Sequence, residues 1–469
     1  MKRLFCSPAL LLLACATQST AGDTASIRQL AQTRAEIELP LDVLDSEQDG
    51  LEREALQLLS RPLTANTAVR IALLNNHNLR AELQTLGIAR GQLVQATVLP
   101  NPEFDVAARF PTQGGGQATW DLGVGIDLTQ MILRGARSKI AEAELAATRY
   151  RVASAVIDLA LEVRHTFYDV LADRARVELQ RSALVAFGAG YETARAMHEA
   201  GNITDLDLVT EQAAYERIRV AVAEAEADLL DSRERVNVLL GLHGRATDWS
   251  TEERLPDVPA APRDRENIEA RAIEANLQLA EARARLDAWS SRVGLARNSG
   301  WLPDLTVGVA AEYEDSDWEV GPQVSGTLPL FDRQQGAAQT SQAQFSELRE
   351  RYVATAVAIR SAVRAAHNRL QSASERARHY REIVLPLRQR VLHETVLQYN
   401  AMQVGVFQLL QARRDELETA QMYVETLREY WAADSDLEQL LAGRLSQTSI
   451  AGSARADRSS SPSTASAVH

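Results

Sequence analysis

Four segments of about ten residues, each alternating apolar with polar side chains, constrain the fold of this chain more than any other feature. The first, Glu103 to Phe110, sets Phe104, Val106, Ala108 and Phe110 against Glu103, Asp105 and Arg109. The second, Thr119 to Thr129, sets Trp120, Leu122, Val124, Ile126 and Leu128 against Thr119, Asp121, Gly123, Gly125 and Asp127. The third, Asp304 to Tyr313, sets Leu305, Val307, Val309, Ala311 and Tyr313 against Asp304, Thr306, Gly308, Ala310 and Glu312. The fourth begins at Trp318 and sets Val320, Val324, Leu328 and Leu330 against Glu319, Gly321, Gln323, Ser325 and Thr327. Pro111 to Gln117, with three consecutive glycines, suits an exposed loop between the first two, and the acidic stretch Glu314 to Asp317 links the others. Ten residues is the length at which a tilted strand crosses a bilayer. Phe104, Phe110, Trp120, Trp301, Tyr313 and Trp318 fall near the segment ends, where interfacial aromatics belong.

Four strands cannot close a barrel. An open sheet edge in lipid leaves backbone groups with no water to satisfy them, and single-chain barrels begin at about eight strands. The segments therefore predict a barrel pooled between copies, eight strands from two or twelve from three. The competing reading is a pair of hairpins in a soluble sandwich, where one face also meets a core.

The segments sit inside a duplication. Leu99-Pro100-Asn101-Pro102 answers Leu302-Pro303-Asp304, and Leu133-Arg134-Gly135-Ala136 answers Arg333-Gln334-Gln335-Gly336-Ala337. Gly201-Asn202-Ile203-Thr204-Asp205-Leu206-Asp207-Leu208 answers Met402-Gln403-Val404-Gly405-Val406-Phe407-Gln408-Leu409. All three pairings keep an offset of about 200 residues, as a tandem repeat requires. Each half reads as a helix (about 66–97 and 266–298), a hairpin (103–129 and 304–330), a very long helix (about 137–198 and 335–399), a short turn and a last helix (about 205–241 and 406–443). Val163, Val170, Val177, Leu184 and Tyr191 recur every seven residues, led in by Val152, Val156 and Leu159, which is a coiled-coil seam. At ~1.5 Å per residue the first long helix runs roughly 90 Å. Pro386 is expected to kink or split the second.

The expected organisation is a signal segment at 1–14, an arm at 15–62, repeats at 63–242 and 265–444, a Pro-rich linker at 243–264 and a disordered tail at 445–469. The fold class is mainly α with a small β part: a tandem-repeat long α-helical barrel plus a four-stranded contribution to an intermolecular transmembrane β-barrel. Lys2 and Arg3 precede a short apolar run, Ala9 to Leu13, as in an export signal. Leu12-Leu13-Ala14-Cys15 resembles a bacterial lipobox, which implies cleavage before Cys15 and its lipidation; Ala16 in the next place favours the outer membrane. An ordinary signal with an incidental cysteine is the alternative. With Cys6 lost in the signal, the mature chain is expected to hold no disulfide and no thiolate metal site.

Composition excludes several classes. A net charge of −13 lacks the basic footprint of a nucleic-acid binder. After the N-terminus no run of eighteen apolar residues exists for a membrane-spanning helix. No Gly-x-Ser-x-Gly, phosphate loop or His-Glu-x-x-His motif occurs, and no two of the eight histidines pair at i, i+3 or i+4. Neither an enzyme, a cofactor nor a resident metal is expected.

These residues resemble the TolC-type outer-membrane efflux family over roughly 62 to 443. The resemblance rests on the Leu-Pro-Asn-Pro and Leu-Pro-Asp leads into the hairpins, Leu-Pro-Leu-Phe-Asp at 328–332, and above all Tyr399 to Arg413, which is similar to the lipoprotein and heavy-metal branch. It implies a homotrimer with a twelve-stranded barrel in outer-membrane lipid and a helical periplasmic tunnel. It implies the exit duct of a tripartite pump, with an inner-membrane transporter supplying energy and a periplasmic adaptor docking at the helical tips. The tips would be Gly201, Asn202, Ile203 and Thr204 with Gln403, Val404 and Gly405. Family members carry aspartates that narrow the pore on the second turn. Gln408 and Gln411 stand there in this chain, which leaves Asp205 and Asp207 of the first turn as acidic aperture candidates. Plain helix capping by these aspartates is the alternative. A non-conducting coiled-coil lipoprotein and a protein-secretion duct remain open as competing functions.

Overall fold

The computed structural model describes residues 21–35, 37, 48–110, 118–259, 267–314 and 317–445. The signal segment with Cys15, the Gly-rich loop 111–117, residues 260–266 of the linker and the tail from 446 lie outside them.

Each repeat is built the same way. Helices α3 (Ala65–Asn75) and α4 (His77–Thr97) lead to strands β1 (Glu103–Arg109) and β2 (Thr119–Asp127), then α5 (Leu128–Glu199) and α6 (Asp205–Leu240). In the second repeat α7 (Ile268–Ala275) and α8 (Leu277–Ser299) lead to β3 (Asp304–Glu314) and β4 (Asp317–Thr327). Then come α9 (Gln335–His379), a π-helical turn at Tyr380–Val384, α10 (Leu385–Asn400) and α11 (Val406–Leu441). The duplication reaches atomic detail. Asn76 caps α4 at φ −71°, ψ 114°, and Asn276 caps α8 at φ −67°, ψ 115°; each side chain accepts the N–H three residues on. Each cap breaks what would be one helix into two. The repeat's last helix ends on a left-handed glycine, Gly241 at φ 67° or Gly443 at φ 98°. A Cβ at either would strike the backbone just before the asparagine, at Asn75 or Ala275, so only glycine fits.

The strands form one antiparallel sheet in the order β1-β2-β3-β4. The β2–β3 pair joins the repeats, with Gly125 opposite Gly308 and Trp120 opposite Tyr313. The strands differ slightly from the sequence boundaries. β1 stops at Arg109, before Phe110. β2 stops at Asp127 because that carboxylate caps α5, accepting the Gln130 N–H at 2.8 Å, so Leu128 and Thr129 are helical. β4 carries Pro322 and ends at Thr327, leaving Leu328 and Leu330 beyond it; as an edge strand it tolerates the missing N–H.

α5 has 72 residues, about 110 Å at 1.5 Å per residue. Val152, Val156, Val163, Val170 and Val177 are buried, as the heptads predict. Beyond Val177 the buried set moves to Gln180, Ala183, Phe187, Gly190 and Ala194 rather than Leu184 and Tyr191. The lower part of α5 thus buries a different face, with Ala183 and Phe187 packed against Ala214 of α6 and Leu417 of α11. The main core gathers Phe167, Ile157, Ile71, Leu74 and Leu83 from α3, α4 and α5. A second core unites α7, α8, α9 and α11 around Ile359, Val363 and Leu437.

The stretch expected to be an arm contains two helices, α1 (Ala21–Ala35) and α2 (Gln48–Leu59). Ile27 and Ala31 are fully buried in the main core. Asp23, 1% exposed, is ion-paired with Arg149 of α5 and lies 3.6 Å from Arg90 of α4. The short α1 buries too few apolar residues to announce itself by periodicity.

Candidate functional site

The sheet exposes its apolar face. Phe104, Val106, Val124, Ile126, Val307, Val309, Trp318, Val320 and Val324 are all among the exposed large hydrophobic residues. In water such a face costs about 25 cal/mol for each Å² left uncovered, so it marks a surface that lipid or protein covers. The aromatic residues fall into two levels. Trp120, Tyr313 and Trp318 stand side by side across β2, β3 and β4, with the Tyr313 and Trp318 rings 5.1 Å apart. Phe110, 70% exposed, lies just past the end of β1 at the same side. Trp301, 73% exposed, sits at the root of β3 under the Arg333 guanidinium at 5.1 Å. Phe104 is one residue inside the root of β1. Eight residues separate Leu305 from Tyr313, about 27 Å of strand, close to the apolar band of a membrane barrel.

The opposite face is polar. Asp121, Glu312 and Glu319 are direct neighbours across β2, β3 and β4. Arg109 pairs with Asp121, its Nε 3.1 Å from the carboxylate. Like charges placed directly opposite cost roughly 0.2–1 kcal/mol a pair. No sequence pattern could reveal this row, because cross-strand register between repeats is a tertiary property. Among the described residues no helix is long and apolar enough to cross a membrane, and no group of three or more His, Cys, Asp or Glu is arranged to hold a metal ion.

At the far end of the helices the two turns share one backbone and differ in side chains. Gly201 at φ 74° and Met402 at φ 59° occupy the same left-handed place. Asn202 N–H reaches Met197 O and Gln403 N–H reaches Gln398 O, each at 2.8–2.9 Å. The first turn is closed by its own side chains. Thr204 caps α6 and forms a capping box with Asp207; the Thr204 hydroxyl donates to the Asp207 carboxylate at 2.7 Å. Those hydrogen bonds, side-chain first and backbone next, hold the Asp207 carboxyl below the ordinary carboxylate range. Asp205 lies 2.6 Å from His198 Nε2. Both aspartates thus serve the turn itself, and Ile203 tucks half-buried beneath it. The second turn lacks this: Gly405 at the cap position offers no side chain, Val404 is half-buried, and Met402 is 95% exposed. Gln408 is exposed, and Gln411 donates to Asp415 at 2.8 Å, which also pairs with Arg388 at 2.9 Å.

Above the turns one node binds the two hairpins, and sequence reasoning missed it. Arg414 of α11 pairs with Glu211 of α6, 8% exposed, and lies 4.7 Å over the Phe187 ring of α5. Gly190 of α5 lets Leu410 approach where a Cβ would collide. Higher up, Asp158 binds Arg444 and Gln439, and Asp169 binds Arg428, all between α5 and the C-terminal end of the chain.

Residues 68–242 and 270–443, nearly all of both repeats, match the family model described as outer membrane efflux protein. The cobalt-zinc-cadmium resistance protein CzcC of Cupriavidus metallidurans is 26% identical over 385 residues, covering 81% of this chain and 90% of CzcC. Among solved structures, CusC superposes with a TM-score of 0.66 at 17% identity, covering 81% of this chain and 92% of CusC. VceC of Vibrio cholerae superposes with a TM-score of 0.67 at 18% identity, covering 81% and 96%. The chain thus shares its fold with CusC and VceC, and it belongs to the outer membrane efflux protein family.

Proposed function

We propose that this chain is the outer-membrane exit duct of a tripartite efflux system, passing heavy-metal cations outward. The carrying observation is the four-stranded sheet: two unpaired edges and an exposed apolar face, continuous with a helix of about 110 Å. Such a sheet is stable in lipid only when copies close it, and three copies give twelve strands. The polar face would then line the lumen, where Asp121, Glu312 and Glu319 favour cations. The metal-resistance name of CzcC supports the same cargo class.

The remaining assignments follow. The tips Gly201 to Thr204 and Gln403 to Gly405 receive a periplasmic adaptor, which links the duct to an inner-membrane transporter. Asp205, Asp207, Gln408 and Gln411 stand near the aperture. Cys15 carries a lipid in the outer membrane's inner leaflet. The chain itself supplies no chemistry.

Purified oligomer in planar bilayers is expected to conduct, and a deletion strain is expected to lose resistance to divalent heavy metals. An oligomer without conductance under any condition would fit a structural coiled-coil lipoprotein instead. Loss of drug resistance alone would reassign the cargo, and loss of a secreted protein would point to a secretion duct. Cys15→Ser should abolish incorporation of labelled fatty acid; retained label would sink the anchor.

A further inference from the structure

We infer that residues 249–259, which follow the first repeat, are a strap that holds the second helical hairpin in place, with Asp257 as its clasp; only its effect on conduction rests on the duct reading. The two shafts are built unequally. α5 runs unbroken and has buried residues down to Ala194, near its tip. In the matching shaft the last buried residue is Ala377, and neither the π turn nor α10 buries any residue. The wide turn Tyr380–Val384 falls at this change, with Leu385 N–H reaching back to Tyr380 O. Pro386 follows and has no N–H to offer Glu382, so a regular turn would leave that carbonyl unpaired. Wide turns of this kind are rare overall and frequent at functional sites. α10 is therefore attached through the least packed part of the shaft, while the adjoining half of α11 is also held to the first repeat at Arg414 and Leu417.

The strap is rooted in the first repeat. Trp249 is buried, its Nε1 donates to Asn237 at 2.8 Å, and Arg233 stacks on its ring at 4.1 Å. Arg174 donates to Thr251 O at 2.5 Å, and Leu63 N–H to Ser250 O at 2.7 Å. Its other end grips the wide turn. Asp257 accepts the Tyr423 hydroxyl at 2.8 Å and lies 3.3 Å from Arg381 inside the turn. Arg378 donates to Pro259 O at 3.0 Å, and Trp431 Nε1 to Pro256 O at 2.8 Å. One carboxylate thus ties the turn and α11 together to a segment fixed on the other repeat. Burial, and then the bond to Asp257, push the Tyr423 phenol up, which keeps it a donor.

The test is amide hydrogen exchange on the purified oligomer, with wild type, Asp257→Asn and Arg381→Gln. Asp257→Asn should speed exchange across 385–411 about fivefold, the scale of the difference between a charged and a neutral acceptor for the Tyr423 hydroxyl. Arg381→Gln should give a smaller increase, since it removes only the half-exposed ion pair. Exchange across 128–200 should not change. Unaltered exchange at 385–411 in both variants, or an equal rise in 128–200, would overturn the strap. In planar bilayers Asp257→Asn should also raise mean conductance. If the wild type never conducts yet the exchange contrast appears, the duct reading fails and the strap stands.

Discussion

Thr204 and Gly405 stand at the same place in the two repeats, and the contrast between them is measurable. Thr204→Ala should cost about 1 kcal/mol by removing the cap, whereas Gly405→Ser should gain a few tenths, read as shifts in the unfolding midpoint in detergent. The Asp207 carboxyl is held below its ordinary value, so its contribution is present above the unfolded pKa and disappears as pH falls through the lower folded one. Cleavage of the 198–207 loop by an acid protease should therefore rise below about pH 4, with no such step at the 399–408 loop. Glu211→Ala should destabilise by about 3 kcal/mol, because it leaves the Arg414 guanidinium without its partner in a mostly buried place. A variant as stable as wild type would mean that water replaces the carboxylate. At this scale the sequence was readable where a residue acts locally. The spacing of Thr204 and Asp207 is a capping box on inspection, while Glu211 and Arg414 are 203 positions apart and meet only through the fold.

At the scale of elements, the strands and the turns between the long helices were readable and the helices of the arm were not. Strand alternation has period two and survives in ten residues, so β1 to β4 fall within a few residues of their expected bounds. Asp127 moved one bound, since a helix cap ends a strand irrespective of the apolar pattern beyond it. α1 was invisible because its anchoring depends on Asp23 meeting Arg149 across 126 residues. Pro386 announced an interruption, but the wide turn preceding it depends on the helix continuing in line. Under the duct reading, the row Asp121, Glu312 and Glu319 sets charge preference. The triple change Asp121→Asn, Glu312→Gln and Glu319→Gln should move the reversal potential in a salt gradient toward zero, and an unmoved potential would exclude the row from the conduction path.

For the whole molecule, under the duct reading, the two edges β1 and β4 are where copies join. Val106→Pro and Ala107→Pro each remove a backbone donor from β1, and one of the two points away from β2. That variant should lose the detergent-stable oligomer while keeping wild-type helical circular dichroism. Oligomers from both variants would mean that the edges are not the joint. The length of α5 adds a mechanical consequence. A rod of about 110 Å turns angle into distance, so a tilt of about 5° at its root carries its tip about 10 Å sideways. Small errors in how the sheet seats in its surroundings are thus magnified at the far end. Contacts along the shaft, ion pairs at Asp158 and Asp169 and the Arg414 guanidinium over Phe187, brace it at intervals as cross-ties brace a mast.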